Sequence, residues 1–286
     1  MNKRGFTLIE ILVVISIIGL ISSVALANFQ DAKQKAKQAA GRQFQATIYR
    51  SLSDELVAEW DFVGVENTPV TPEDGSGLVN PGDNEPTSQL SNVLYVNDEL
   101  VGSAVAFDGS SSYIAGQNFP DLGTNSDVTV SAWVKPTDVL SENTIFFKGN
   151  GSSSCNGFQV GIKGGRGFVN GTIETTSYAV SNNTWQNLTF VYNRGTDGAD
   201  GSVDTYINGV KISTTPNAQT TSCPNDEWSI GAKLSYLAGG NFVNSVSSAF
   251  AGQIESVYIY KSAFTASEVG QIYATSRRGR TALADF

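Results

Sequence analysis

The sequence contains no histidine. This excludes Ser–His–Asp hydrolysis, His-ligated zinc and His general-base catalysis. Cysteine is scarce: Cys155 and Cys223 are the two in the chain, too few to close a structural zinc site by themselves. Charge is also thin, at 16% of residues, and the formal balance is −9. Lys3 and Arg4 sit ahead of a long apolar run, and without them the balance moves from −9 to −11. An acidic chain with no basic stretch beyond Lys33–Lys37 argues against general nucleic-acid binding.

What is present is turn-forming and apolar. The 286 residues are enough for one large domain or two small ones, each with a real core. Apolar residues make up 40% and there are 29 glycines. Low charge with many turn formers points to short strands joined by loops.

The N-terminus is different in texture. Residues 6–29 are apolar apart from Glu10 and a few small or hydroxyl residues. About 20 such residues cross a bilayer as a helix. Lys3 and Arg4 precede the run, so the short end stays cytoplasmic. A signal peptide or plain anchor is the simplest alternative. Against it stand a very short leader ending in Gly5 and a carboxylate at Glu10 inside the apolar run. A charge there costs about 2.5–3.5 kcal/mol on insertion scales and calls for a partner. No small-x-small cleavage site precedes a mature domain; the pattern runs on past Asp31 as a helix. Phe44, Ile48, Leu52 and Leu56 repeat every four residues, with Tyr49 and Val57 alongside, which predicts an amphipathic helix. From Phe6 to Val57 it would measure about 78 Å at 1.5 Å per residue.

The stretch Arg4-Gly5-Phe6-Thr7-Leu8-Ile9-Glu10 resembles the class III signal of type IV pilins and pseudopilins. The resemblance implies cleavage between Gly5 and Phe6 by a prepilin peptidase, methylation of the new N-terminus, and residence in the inner membrane before assembly. It also implies that Glu10 pairs with the Phe6 amine of a neighbouring subunit. Two opposite charges in a dry core satisfy each other, and either one alone is penalised.

From Glu59 onward the pattern is of short strands. Residues 67–86 are rich in Gly, Pro, Asn and Asp and read as a long loop. Strands are predicted at 105–107, 113–114, 128–134, 144–148, 158–162, 168–169, 172–173, 188–192, 203–207, 210–212, 228–230 and 253–260. Within 128–134, Val128, Val130, Ala132 and Val134 share one face and Trp133 lies on the other. Asn208-Gly209 marks a two-residue hairpin turn. The late helical signal is confined to 265–273. Gly164-Gly165-Arg166-Gly167 lies between strands and does not read as a phosphate loop. Asp197-Gly198-Ala199-Asp200-Gly201 lacks the closing Glu of an EF-hand and reads as an exposed hairpin loop.

The ordered set of segments over residues 56–275 resembles the concanavalin A-like, laminin-G-like jelly-roll family. It includes Leu56–Phe62, Val105–Gly109, Ser131–Pro136, Asn183–Leu188, Tyr206–Gly209, Ser229–Gly231 and Phe250–Tyr260. The expected fold is therefore mostly β: a long N-terminal helix followed by an antiparallel β-sandwich. Its divisions are a leader at 1–5, a pilin helix at 6–57, a sandwich at 58–275 and a tail at 276–286.

The resemblance leaves a ligand open. Such domains bind glycans or proteins, and some bind calcium, for which Asp108 and Glu255 are candidate ligands here. Asp108-Gly109 suffices equally as a turn. Trp60, Trp133, Trp185 and Trp228 fall at framework positions, which favours core packing over sugar stacking. In an exported chain Cys155 and Cys223 read as a disulfide, with two separate buried thiols as the alternative. With no nucleophile–base pair in view, no enzyme is expected. The functions that remain are a surface pilus subunit carrying a lectin-like head, a secretion pseudopilin confined to the periplasm, and a membrane-anchored lectin. Partners would be other pilin subunits, the prepilin peptidase, the membrane and a glycan or surface-protein ligand. The processing site gives a direct test: a Gly5→Leu chain should keep its full precursor mass in cells, and a normal cut before Phe6, seen by mass spectrometry, would contradict this reading.

Overall fold

The computed structural model describes residues 8–9, 12–18, 54–62, 89–98, 100–116, 119, 122, 126–149, 157–170, 172–173, 180–194, 201–218, 227–236 and 243–281. The chain divides into two compact units, Met1–Ser53 and Asp54–Phe286. In the first, Leu8, Ile9 and residues 12–18 are helical and turn their apolar side chains outward, Leu8 being 82% exposed. None of the described helices is long and apolar enough to cross a membrane, and most of the predicted 6–57 helix lies outside the described residues.

The second unit is a jelly-roll-like antiparallel sandwich. One sheet runs in the order β13-β12-β11-β6-β17-β4-β3, and β1 also pairs with β17. These are β1 (Leu56–Asp61), β3 (Leu94–Asp98), β4 (Gly102–Asp108), β6 (Val128–Pro136), β11 (Gln186–Asn193), β12 (Gly201–Ile207), β13 (Val210–Ala218) and β17 (Ala251–Tyr260). The facing sheet runs β10-β9-β8-β7-β14-β5-β2. Its strands are β2 (Gln89–Ser91), β5 (Tyr113–Gly116), β7 (Asn143–Lys148), β8 (Phe158–Lys163), β9 (Arg166–Val169), β10 (Thr172–Ile173) and β14 (Trp228–Ile230). A ribbon of β15 (Lys233–Tyr236) and β16 (Val243–Ser247) stands apart, and its Leu234 and Val246 pack with Ala115 of β5.

Period-two alternation explains the layers. In β6, Val130 and Ala132 oppose Phe190 and Leu188 of β11, and all four enter the inter-sheet core. Trp133, one residue out of phase, opposes Asn187 on the outer face. There it stacks on Tyr273 of the C-terminal helix with centroids 5.8 Å apart, and its indole N–H donates to Ser276 Oγ at 2.9 Å. Both residues of the Asn208-Gly209 turn have positive φ, 52° and 76°, as a primed hairpin turn requires. Gly164 and Gly165 likewise turn β8 into β9, at 60° and 74°.

Two boundaries and one reading of charge differ from the sequence reading. The period-four stripe does not carry a helix through Val57: Asp54 and Glu55 form a turn, and Leu56 opens a strand. A register irregularity between Leu56 and Ala58 buries Val57 and Ala58 together, so the strict two-residue alternation of a strand is broken there. Second, residues 276–281 are not tail. The helix runs Ala266–Thr281, opened by a capping box in which Thr265 N donates to Glu268 Oε2 at 2.7 Å and Glu268 N to Thr265 Oγ1 at 3.3 Å. Its contact with Trp133 extends order past Tyr273. A basic run beyond Lys37 also exists: Arg277, Arg278 and Arg280 fall in the last turns of this helix. Strands β2, β3, β15 and β16 escaped the sequence reading; β2, β15 and β16 are short and carry polar residues at half or more of their positions.

The core closes around Trp60 of β1. Its ring lies 4.8 Å from Trp228, 5.9 Å from Phe146 and 6.2 Å from Phe119, centroid to centroid, so one side chain joins both sheets. Trp60→Ala should cost about 3–5 kcal/mol through the cavity left behind. Chemical denaturation of the full chain in detergent would read this as an earlier midpoint. A loss under about 1 kcal/mol would mean that β1 is not integral to the sandwich.

Candidate functional site

The sequence-predicted site residues separate into three places. Gly5, Phe6 and Glu10 lie outside the described residues, as do Cys155 and Cys223 and the loop 197–200. Asp108 and Glu255, the candidate calcium ligands, are described and are not brought together.

Asp108 ends β4 and organises the turn that follows. Its Oδ1 accepts from the backbone N–H groups of Ser110, Ser111 and Ser112 at 2.8, 2.8 and 2.9 Å, and its Oδ2 accepts from Ser111 Oγ at 2.8 Å. Burial opposes its ionisation, but these donors outweigh burial and hold the carboxyl far below the usual range. Ser112 Oγ in turn donates to the Asn92 carbonyl at 2.7 Å, tying the turn to the β2–β3 connection. Asp108 is thus a turn residue with its oxygens already occupied.

Glu255 sits at the register irregularity of β17 between Ile254 and Ser256. It is buried, accepts from Ser256 Oγ, and its backbone carbonyl receives Phe62 N at 3.1 Å. Asp108 is paired with Ala251, four positions back along the same strand, so about 13 Å of strand separates the two carboxylates. They cannot share one ion, and calcium needs six to eight oxygens. Among the described residues no group of three or more acidic, His or Cys side chains is arranged to hold a metal. Asp108 and Glu255 by themselves therefore do not make a calcium site.

What surrounds Glu255 was not anticipated. Glu59 and Asp61 alternate with Trp60 along β1 and so share its outer side, opposite Tyr258 and Ser256 of β17. Burial raises the Glu59 carboxyl, the Asp61 charge adds to the rise, and a hydrogen bond with Tyr258 works against it. Burial, followed by Asp61, Glu59 and Glu255, pushes the Tyr258 hydroxyl well above its usual range. The signal was in the sequence: once Leu56–Phe62 is read as a strand, the i, i+2 spacing of Glu59 and Asp61 puts both on one face.

The four tryptophans are all buried, between 3% and 8% exposed, which bears out the framework expectation. Trp60 and Trp228 fill the inter-sheet core. Trp133 and Trp185 form a satellite cluster with Val101 and Ala104 on the outer side of the larger sheet.

Residues 108–270 match the concanavalin A-like lectin/glucanases superfamily, and the chain belongs to that family. Residues 1–26 match the prokaryotic N-terminal methylation motif, so a type IV pilin-like start and a lectin-type domain share one polypeptide. No curated protein matches the chain. Among solved structures, it is similar to domain 4 of AbnA, an extracellular arabinanase of Geobacillus stearothermophilus, in complex with arabinotriose. The identity is 20% and the TM-score 0.52, over 77% of this chain and 98% of that one. It is also similar to the binding domain of Paraclostridial Mosquitocidal Protein 1, with 18% identity and a TM-score of 0.51 over 78% and 53% of the two chains. The botulinum neurotoxin serotype D ligand-binding domain in complex with N-acetylneuraminic acid gives 14% and 0.50 over 80% and 52%. The chain spans about half the length of the two toxin domains. At these identities the likeness is one of fold.

The Glu59 cluster makes a pH prediction. Because the folded domain raises this carboxyl above the usual 4.5, its stability contribution is fully present below pH 4.5 and is lost as pH rises through the folded value. Glu59→Gln, which does not titrate, should raise the unfolding midpoint relative to wild type at pH 7 and lose that advantage at pH 4. A midpoint difference that does not change between the two pH values would contradict the burial of this charge.

Proposed function

We propose that this chain is a subunit of a type IV pilus, its β domain displayed outside the cell to bind glycans or surface proteins. The observation that carries the reading is the coexistence, on one chain, of the methylation motif over residues 1–26 and a sandwich built from residue 56 onward. The precursor waits in the cytoplasmic membrane, loses residues 1–5 to a prepilin peptidase, and enters the filament by its apolar helix. The outward apolar side chains of Leu8, Ile9 and residues 12–18 suit such packing against other subunits. AbnA domain 4 and the serotype D toxin domain were captured with saccharides, which supports a glycan ligand for a related fold. The head acts as a binding module and not as an enzyme. A pseudopilin of a secretion system is the second reading, supported by the same motif.

An exported head also suits the Cys155–Cys223 disulfide. Phe158 and Trp228 both oppose Lys148, so β8 and β14 flank β7 and begin at the same end of the sheet. The cysteine-bearing segments precede those two residues. The two strands are not adjacent, but each borders β7.

Glu10 provides the test of assembly. Pairing with a neighbouring Phe6 amine favours one register, since any other strands both charges in a medium of low dielectric. Glu10→Leu should leave the leader cleaved and the head folded, yet deplete the protein from sheared surface filaments by about tenfold or more. Wild-type amounts in the filaments, at equal expression, would count against the charge pair.

A further inference from the structure

Strand β1 lies where the head joins the rest of the chain, so a pull on the N-terminal segment reaches the sandwich through Leu56. The registers show how that pull acts. Leu56 opposes Tyr260 of β17, and Tyr260 opposes Thr129 of β6, which marks one end of the sheet. Asp61 opposes Ser256, and Ser256 opposes Trp133, a level about 15 Å further along the strands. β1 therefore enters at the Thr129 end and runs toward the Pro136 end, antiparallel to β17. The Asp108 turn is also at the Pro136 end, because Asp108 opposes Ala251 and the next residue, Gly252, opposes Pro136.

Two features resist withdrawal of β1 along its own axis. The first is the ladder. Pairs from Leu56–Tyr260 to Asp61–Ser256 are flanked by Lys261 N to Glu55 O at 2.8 Å and Phe62 N to Glu255 O at 3.1 Å. A pull along the strand loads these bonds together, because sliding β1 past β17 strains them all at once. A pull across the strand at Leu56 loads the first pair, then the next. The second feature is the side-chain set. Trp60 packs on Trp228, Phe146 and Phe119, and Val57, Ala58 and Phe62 are buried with it in the same core. A slip of one residue would turn a buried strand face toward the outer side, so Trp60 must leave its ring contacts before β1 can move.

We propose that β1 is a mechanical clamp, oriented so that tension between the filament and a contact at the Pro136 end of the head is carried as shear, with Trp60 as its catch. The proposal takes the source of the tension from the pilus reading above. The direction in which β1 resists it comes from the register.

Single-molecule force spectroscopy of the full chain in detergent tests the clamp. One tether is placed at the N-terminus and the other on an introduced cysteine, with the coupled residue verified by peptide mass mapping. Thr137→Cys gives a handle at the Pro136 end, where Thr137 is exposed and its N–H donates to Ala251 O at 2.8 Å. Ala266→Cys gives a handle at the Thr129 end: Ala266 is exposed and follows Phe264, whose N–H donates to Thr129 Oγ1 at 3.1 Å. Pulling from residue 137 shears β1, and pulling from residue 266 peels it. The rupture force should be roughly twofold or more higher from residue 137, because several bonds then share the load that one carries in peeling. Equal forces, or a higher force from residue 266, would overturn the clamp. Trp60→Phe, which keeps an aromatic ring in the core, should lower the force from residue 137 by a larger fraction than the force from residue 266. An equal fractional loss in both would make Trp60 a contributor to stability alone and overturn it as the catch. The measurement needs no filament, so a failed clamp leaves the pilus reading standing. Absence of the protein from filaments would instead remove the source of tension and overturn the clamp's role in the cell, whatever the two forces.

Discussion

The sandwich depends on what strand β17 holds on its two edges. Along one edge it bonds to β6 from Gly252 to Tyr260. Along the other it bonds first to β4, through Ala251–Ile254, and then to β1, through Ser256–Tyr260. The last strand of the domain is therefore central, and its outer half is completed by the first strand. Lys261 N to Glu55 O at 2.8 Å and Phe62 N to Glu255 O at 3.1 Å extend that pairing past both ends of β1. The ladder needs this extra strand, and the core needs its Trp60. A domain limited to the family-matched residues 108–270 would lack both.

This arrangement has a functional consequence. The segment that carries the membrane and assembly motif ends at Ser53, and β1 begins at Leu56. The attachment of the head to the rest of the chain is thus also one of its own core strands. The cost of the arrangement appears on the outer side of β1, where Glu59 and Asp61 crowd Tyr258 and Glu255. A carboxylate held above its ordinary pKa is tolerated there because the opposite face of the same strand buries Trp60, a far larger favourable contribution.

Much of this was legible in the sequence, for identifiable reasons. The methylation motif is contiguous, so it needs no tertiary context. Strands such as β6 and β17 could be found because their β-branched and aromatic residues alternate over many positions, and Asn208-Gly209 because few residue pairs suit two positive φ values. The hidden parts were hidden physically. Lys233–Tyr236 and Val243–Ser247 gain their order from packing on Ala115, which no local pattern announces. The predicted helix ran too far because Leu56, which opens β1, falls in phase with the period-four stripe. Asp108 and Glu255 looked like a pair because both are acids within segments that resemble the family. Only the register, which sets Asp108 against Ala251, parts them.

The central claim is that one polypeptide places a saccharide-binding β domain on an extracellular filament. Immunogold electron microscopy of intact cells, with an antibody against the β domain, tests it most directly. The account predicts gold particles on filaments that project from the cell, lost when Gly5 is replaced and the leader is retained. Gold confined to the cell envelope, with unlabelled filaments on the same cells, would contradict it.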